Sequence, residues 1–278
     1  MDTVNIDFEK LQQAAIGKVA QTALYLGLGI NAANNPTFKE YQLSGITPLQ
    51  FLPSAVDENT LADYKSLFSR WIVGCGFRGL IELFSVLVDE IYRVCLIVSS
   101  SNMGVIVRPI DEKDFKKKEK NFSYNFGLEK KLTHLKNEFD VGIPNPEYFT
   151  TINHARNCLT HRLGIVGTED CGNDDKLVVK WRGFDIYAES SDGTITPLQP
   201  MPANGVFLEG GGKIKMNWIE RIRKFPQGSL VLFSPAELAE ICLYVNDSII
   251  AMIGSAQKYA VGLGLPVAGS TKNETKAD

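Results

Sequence analysis

The sequence lacks a disulfide framework. Its five cysteines, Cys75, Cys95, Cys158, Cys171 and Cys242, are odd in number and widely spaced, and none forms a C-x-x-C pair. That pattern excludes a stapled secreted scaffold and a zinc ribbon, and it reads as reduced thiols in a cytoplasm. An excess of positive charge is also missing. The formal net charge of -3 excludes a strongly basic nucleic-acid coat, while a local patch can still bind, because affinity follows the charge that faces the ligand. Met1-Asp2-Thr3-Val4-Asn5 is acidic where a secretory signal would be basic, and no apolar h-region follows it. The two most apolar stretches, 80–98 and 239–256, carry Glu82, Asp89, Glu90 and Arg93 in one and Glu240, Asn246 and Asp247 in the other. Such groups are costly in a bilayer, so both stretches read as core helices and no membrane is expected. The fingerprints G-x-S-x-G and H-E-x-x-H and the dinucleotide motif are missing, and there is no internal repeat. The run Glu209-Gly210-Gly211-Gly212-Lys213 lacks the spacing of a phosphate loop and reads as a turn.

What remains is ordinary globular material, 278 residues with 44% hydrophobic and 22% charged content. Helical spacing of Leu11, Ala14, Ala15, Val19, Ala23 and Leu26 predicts a first helix over 7–28, stopped by Gly27 and Gly29. Residues 31–59 read as an extended connection. From Thr60 a helical pattern runs to about residue 100, with a break expected at Gly74-Cys75-Gly76 and Gly79. Residues 101–125 read as a charged loop. Helices are predicted over 128–139 and 147–162, the second opened by Pro146 and closed by Gly164. The period then shortens. Residues 177–181, 184–187 and 194–196 read as strands, with Asp192-Gly193 as a hairpin turn, and 206–208 and 229–233 as further strands. Ser234-Pro235-Ala236-Glu237 carries a cap, a first-turn proline and a capping-box glutamate, and it starts a last helix to about 261. The expected fold is mainly α, a helical bundle with a small β-rich insertion before the last helix.

The helix over 147–162 ends in Arg156-Asn157-Cys158-Leu159-Thr160-His161. Asn157 and His161 are four residues apart and share a face, with Arg156 beside them. An arginine fork can grip the non-bridging oxygens of a phosphodiester. A histidine can exchange a proton with a 2′-hydroxyl or a leaving oxygen. Such a cleavage needs no metal, because RNA supplies its own nucleophile. The same residues also occur where they merely cap carbonyls or pair with acids.

This segment, followed by Arg162 and Gly164-Ile165-Val166, resembles the R-x(4–6)-H motif of HEPN domains, in which a polar residue such as Asn157 often follows the arginine. The helical surroundings resemble that family too, over 60–165 and 234–263. The chain thus divides into an N-terminal helix and connection (1–59), a HEPN-like bundle with the motif (60–165), a β-rich insertion (166–233), the closing helix of the bundle (234–268) and a polar tail expected to be disordered (269–278), and the first and third of these depart from a minimal HEPN bundle. The resemblance implies a metal-independent endoribonuclease that works as a cytoplasmic homodimer without a cofactor, as a toxin or phage-defence effector. Arg156 would polarise the scissile phosphate, His161 would act as general acid or base, and Asn157 would orient one or the other. RNA is the implied partner, with an antitoxin or another regulatory protein beside it. The alternative within the family is a non-catalytic module that binds a nucleotide, RNA or a protein.

Other features compete or assist. His154, Cys158 and His161, at i, i+4 and i+7, share a helical face and could hold a metal, with Cys171 or His134 as a fourth ligand; Cys158 reads equally as a small buried hydrophobe. Between Lys113 and Lys120, five lysines face two acids, and Lys116, Lys117 and Lys118, with Arg162, are candidates for RNA contact. Lys213, Lys215, Arg221, Arg223 and Lys224 surround Trp218 in a second basic cluster, suited to stacking and phosphate pairing. Each cluster also reads as a solvated face, a loop for the first and a surface helix for the second. Glu82 or Asp89, which share a face of the long helix, is suited to pair with Arg156 or to orient His161.

Overall fold

A computed structural model describes residues 6–37, 57–100, 112–172, 174–198 and 211–265. Within them the chain is mainly helical, with six helices and a small three-stranded antiparallel sheet before the last one. The helices are α1 (Phe8–Asn34), α2 (Glu58–Ser100), α3 (Glu112–Asn125), α4 (Leu128–Phe139), α5 (Pro146–His161) and α6 (Pro235–Gly262). The strands are β1 (Lys176–Ser190), β2 (Ile195–Pro197) and β3 (Gly212–Pro226), in the order β2-β1-β3. The expected strand at 206–208, the Glu209-Gly210 start of the glycine run and the tail from 269 lie outside the described residues.

Two expected interruptions do not occur, for one reason. The α1 helix continues past Gly27 and Gly29, and α2 runs unbroken for 43 residues through Gly74, Gly76 and Gly79. Gly29 and Gly76 are where helices approach rather than where they stop, whereas Gly27 lies in open space. A Cβ on Gly29 would come within 2.7 Å of Ile72, and one on Gly76 within 2.4 Å of Leu26. Gly74 faces Leu159 of α5 in the same way, at an ordinary contact distance of 3.6 Å. Glycine in a helix interior costs about 1 kcal/mol against alanine, and here close α1–α2 packing offsets that cost.

The α2 helix is the spine. Phe77, Phe84, Val88, Ile91 and Cys95 are all buried along it, in a core that also takes in Phe149 and Ile152 of α5, Trp181 of β1 and Ile241 and Val245 of α6. By length and composition α2 and α6 could each cross a bilayer; in this fold about half of each helix's most apolar window is buried in the core. Phe84 stacks on Phe149 at 3.9 Å, which presses α5 onto α2. At the other end of α2, Tyr92 stacks on Phe122 of α3 at 3.8 Å. The segment expected as a loop over 112–125 is therefore a helix. Glu112–Lys116 and Asp114–Lys118 pairs at i,i+4 support it, and Phe122 anchors it. Below it Lys131 of α4 is buried and pairs with Asp89 at 2.7 Å.

The two runs 177–181 and 184–187 form one strand, β1, paired with β3 from Lys176↔Pro226 to Ser190↔Gly212. Gly183 allows the continuity: a Cβ there would lie 2.6 Å from Arg221 and 2.7 Å from Glu240, which meet over the strand. The basic cluster around Trp218 is thus a strand and not a surface helix. Leu177, Val179 and Trp181 face inward, and the Trp181 indole N–H donates to Glu240 of α6 at 3.0 Å. On the other side of β1, Thr151 of α5 accepts the Lys180 N–H at 2.9 Å, so a helix side chain completes the strand edge. Residues 229–233 make only an isolated bridge, Ile165↔Leu230. The capping box at Ser234 forms as expected, with the Ser234 N–H donating to Glu237 at 2.7 Å.

The glycine account is testable by thermal denaturation. Gly76→Leu is expected to destabilise the fold by about 2–3 kcal/mol through overpacking against Leu26. Gly17→Ala, in open space on α1, is expected to stabilise it by up to about 1 kcal/mol. Equal effects at the two positions would contradict the close-approach role.

Candidate functional site

The α5 helix is fixed at both ends. At its start Pro146 occupies the first turn, and the Tyr244 hydroxyl donates to the Asn145 carbonyl at 2.8 Å. At its end the Cys158 carbonyl accepts both Arg162 N–H (3.0 Å) and Gly164 N–H (3.1 Å). The chain turns through Leu163 (φ 54°) and Gly164 (φ 77°). Left-handed backbone suits glycine, whereas at a bulky leucine it costs about 1–2 kcal/mol. What holds it is downstream: Val166 N–H donates to Ser229 O (3.0 Å) and Val231 N–H to Gly164 O (2.8 Å). The Gly-Ile-Val exit is tied down by the segment that leads into α6.

A bidentate ion pair locks the turn. Arg162 donates through Nε and Nη2 to both carboxylate oxygens of Asp170, whose side chain is only 2% exposed. The Gly167 N–H adds a third donor to Asp170 at 2.9 Å, and Glu169 stands 3.3 Å from Arg162. This grip holds the guanidinium more firmly protonated than usual. Arg162 was a candidate for RNA contact; in the folded chain its fork is occupied by a carboxylate.

Between the end of α5 and the 3-10 turn at Thr168–Asp170 lies an open recess of about 290 Å³, lined by His154, Asn157, His161, Arg162, Glu169 and Asp170. Asn157 and His161 thus share one surface, as their spacing predicts. Arg156 does not line this recess. Its Nη1 donates to Asn157 Oδ1 at 2.8 Å and its Nη2 lies 3.6 Å from Glu82. The Asn157 carbonyl end is therefore taken, which leaves its NH2 end for a ligand. Of the two acids considered as partners for Arg156, Glu82 stands beside it, bound also by Arg78 at 2.7 Å, while Asp89 pairs with Lys131. Arg156 Nε and Thr160 Oγ1, one turn apart, are buried without a hydrogen-bond partner. Unsatisfied buried polar atoms are uncommon in native folds.

The lysines do not join this site. Lys116 pairs with Glu112 and Lys118 with Asp114, and Lys117 is on the same helix. The α3 helix reaches α2 near Arg93, where Glu119 lies 3.7 Å away, whereas α5 ends beside Gly74. Nineteen residues of helix, roughly 28 Å, separate the two places. The second basic cluster is largely engaged too: Arg221 binds Glu240 and Asp185, Arg223 lies 3.3 Å from Glu237, and Lys215 pairs with Glu189. Trp218 carries the Arg182 guanidinium over its ring at 4.2 Å.

Cys158 faces the core rather than the recess and donates to the Ile165 carbonyl. Burial, then the charge of Asp170, pushes its thiol up to about 12, the wrong direction for a thiolate ligand. Among the described residues no group of three metal-binding side chains comes together, so the alignment of His154, Cys158 and His161 does not form a metal site. His154 and the acids Glu169 and Asp170 are the lining residues whose place in the recess the motif alone did not assign. The i, i+3, i+7 spacing of His154, Asn157 and His161 carried that signal for the histidine, whereas the return of residues 169–170 is tertiary. No family model matches the chain, and no curated protein or solved structure does either.

Thiol labelling of the native protein with iodoacetamide near pH 8 checks this geometry. Cys75 is exposed, whereas Cys95, Cys158 and Cys242 are buried, the first two pushed up to about 12. Cys75 is expected to label fast, and those three only after unfolding. Rapid native labelling of Cys158 would contradict its placement.

Proposed function

We propose that this chain is a HEPN-type, metal-independent endoribonuclease acting in a toxin or phage-defence system of the cytoplasm. The observation that supports it most is the Arg156–Asn157 hydrogen bond. It joins the motif's arginine to the recess that His161 lines, so a cation, an amide and an imidazole stand in sequence along one helix end. In this reading the phosphate sits at the Asn157 NH2, with Arg156 behind it as the counter-charge. His161 exchanges the proton and the 2′-hydroxyl attacks, leaving a 2′,3′-cyclic phosphate. Arg162 holds the site rather than the RNA, and Lys116, Lys117 and Lys118 serve at most as a remote contact for a long RNA.

A homodimer belongs to this reading, and the surface beside the motif suits one. Leu163 is 82% exposed and Ile165 50%, directly after His161, and Trp71 is 63% exposed one turn from the Gly74 contact with α5. An apolar rim of this kind favours cover by a second protomer or by an antitoxin. A second reading, a non-catalytic HEPN-like binding module, draws on a different observation. Glu169 and Asp170 line the recess and Arg162 is consumed by them, which lowers its attraction for an anion.

Incubation with total RNA in EDTA separates the readings. Wild type is expected to cleave and leave cyclic-phosphate ends, with Arg156→Ala and His161→Ala each at least about 100-fold slower. Cleavage unchanged in both variants, or activity lost in EDTA and restored by zinc, would overturn the assignment. Binding without cleavage would select the module.

A further inference from the structure

His154 borders two recesses. It lines the one at the helix end, and it also lines a second, of about 400 Å³, formed with Glu129, Lys130 and Thr133 of α4 and Thr150 and Asn153 of α5. Both recesses lie along α5 and have His154 in common. His154 and His161 are seven residues apart, two turns of helix, so they stand on nearly the same line about 10.5 Å apart along the axis. Asn157 lies between them, with Arg156 bonded to its back.

That order fits an in-line phosphoryl transfer. The attacking and leaving oxygens lie on opposite sides of phosphorus, and two imidazoles reaching in from either end can serve one each. Resting on the ribonuclease reading of the same recess, we propose that His154 and His161 are the paired acid and base of one protomer. One removes the proton from the 2′-hydroxyl as the O2′–P bond forms. The other, protonated beforehand, gives its proton to the 5′-oxygen as the P–O5′ bond breaks. The products are a 2′,3′-cyclic phosphate and a 5′-hydroxyl; the histidines end with exchanged protonation, and water restores them. The groups that face His154 are Glu129 and Lys130 from α4 and Glu169 and Asp170 from the 3-10 turn; His161 faces Arg162 and the same two acids. Lys130, which lines the second recess, also lies 4.2 Å over the Phe126 ring.

The full-length protein is tested with a fluorescent oligoribonucleotide in EDTA from pH 4.5 to 9, beside His154→Gln and His161→Gln, with melting curves to show that both fold. Wild-type kcat/KM is expected to be bell-shaped. Each variant is expected to fall about 100-fold or more, and the two are expected to lose opposite limbs of the bell. A His154→Gln enzyme that keeps the bell and a rate within a few-fold of wild type overturns the pair and leaves the ribonuclease reading intact. Loss of the same limb in both variants also overturns it. A wild type that cleaves no RNA ends the ribonuclease reading, and the pair with it.

Discussion

The grip of Arg162 on Asp170 closes the chain back over the end of α5, and the geometry of the candidate site depends on it. A carboxylate with a side chain 2% exposed takes two donors from one guanidinium and a third from the Gly167 backbone. Removing one partner of such a pair leaves a buried charge unmet, at a cost of about 2–4 kcal/mol after allowance for the partly exposed arginine. The pair also closes the chain back over the last turn of the helix. Without it, the left-handed Leu163 would have less to hold it, and the wall of the recess that Glu169 and Asp170 provide would move away from His161.

Long-range packing places that helix end. The α2 helix carries α5 through the Phe84–Phe149 stack and the Gly74–Leu159 contact, and it carries α3 and α4 some turns further on. Because α2 is unbroken through its glycines, the charged α3 is held roughly 28 Å of helix away from the motif. One uninterrupted helix thus separates the chain's most lysine-rich run from its arginine–histidine segment. The sheet contributes from the other side. Thr151 completes the β1 edge, Tyr148 donates to Glu220 of β3 at 2.6 Å, and Trp181 and Arg221 both bond Glu240 of α6.

Local chemistry was legible in the sequence; tertiary choices were not. The α4, α5 and α6 helices, the Ser234 capping box and the Asp192-Gly193 turn follow from residues close together in the chain. So does the shared face of Asn157 and His161. The errors have a common cause. Local spacing makes Gly29 and Gly76 look like stops, where each is a point of contact with another helix. The lysine-rich run looks like a loop in sequence because the one buried residue of α3, Phe122, stacks on a tyrosine thirty positions earlier. The basic residues around Trp218 have partners on β1 and α6 that no spacing reveals. The same holds for Arg162, whose role turns on a carboxylate that returns only when the 3-10 turn folds.

A phosphodiester received along one strip of α5, from His154 through Asn157 to His161, is the proposal most open to direct test. Three histidines make the claim directly observable, because His134 sits apart, against Glu138 and the Phe126 ring. Proton NMR of the imidazole rings, during titration with an uncleavable 2′-deoxy oligonucleotide in EDTA, reads all three at once. The His154 and His161 signals are expected to move together with one dissociation constant, and His134 to stay still. Movement of His134 alone, or no movement of His154 and His161 at saturating oligonucleotide, would contradict the proposal.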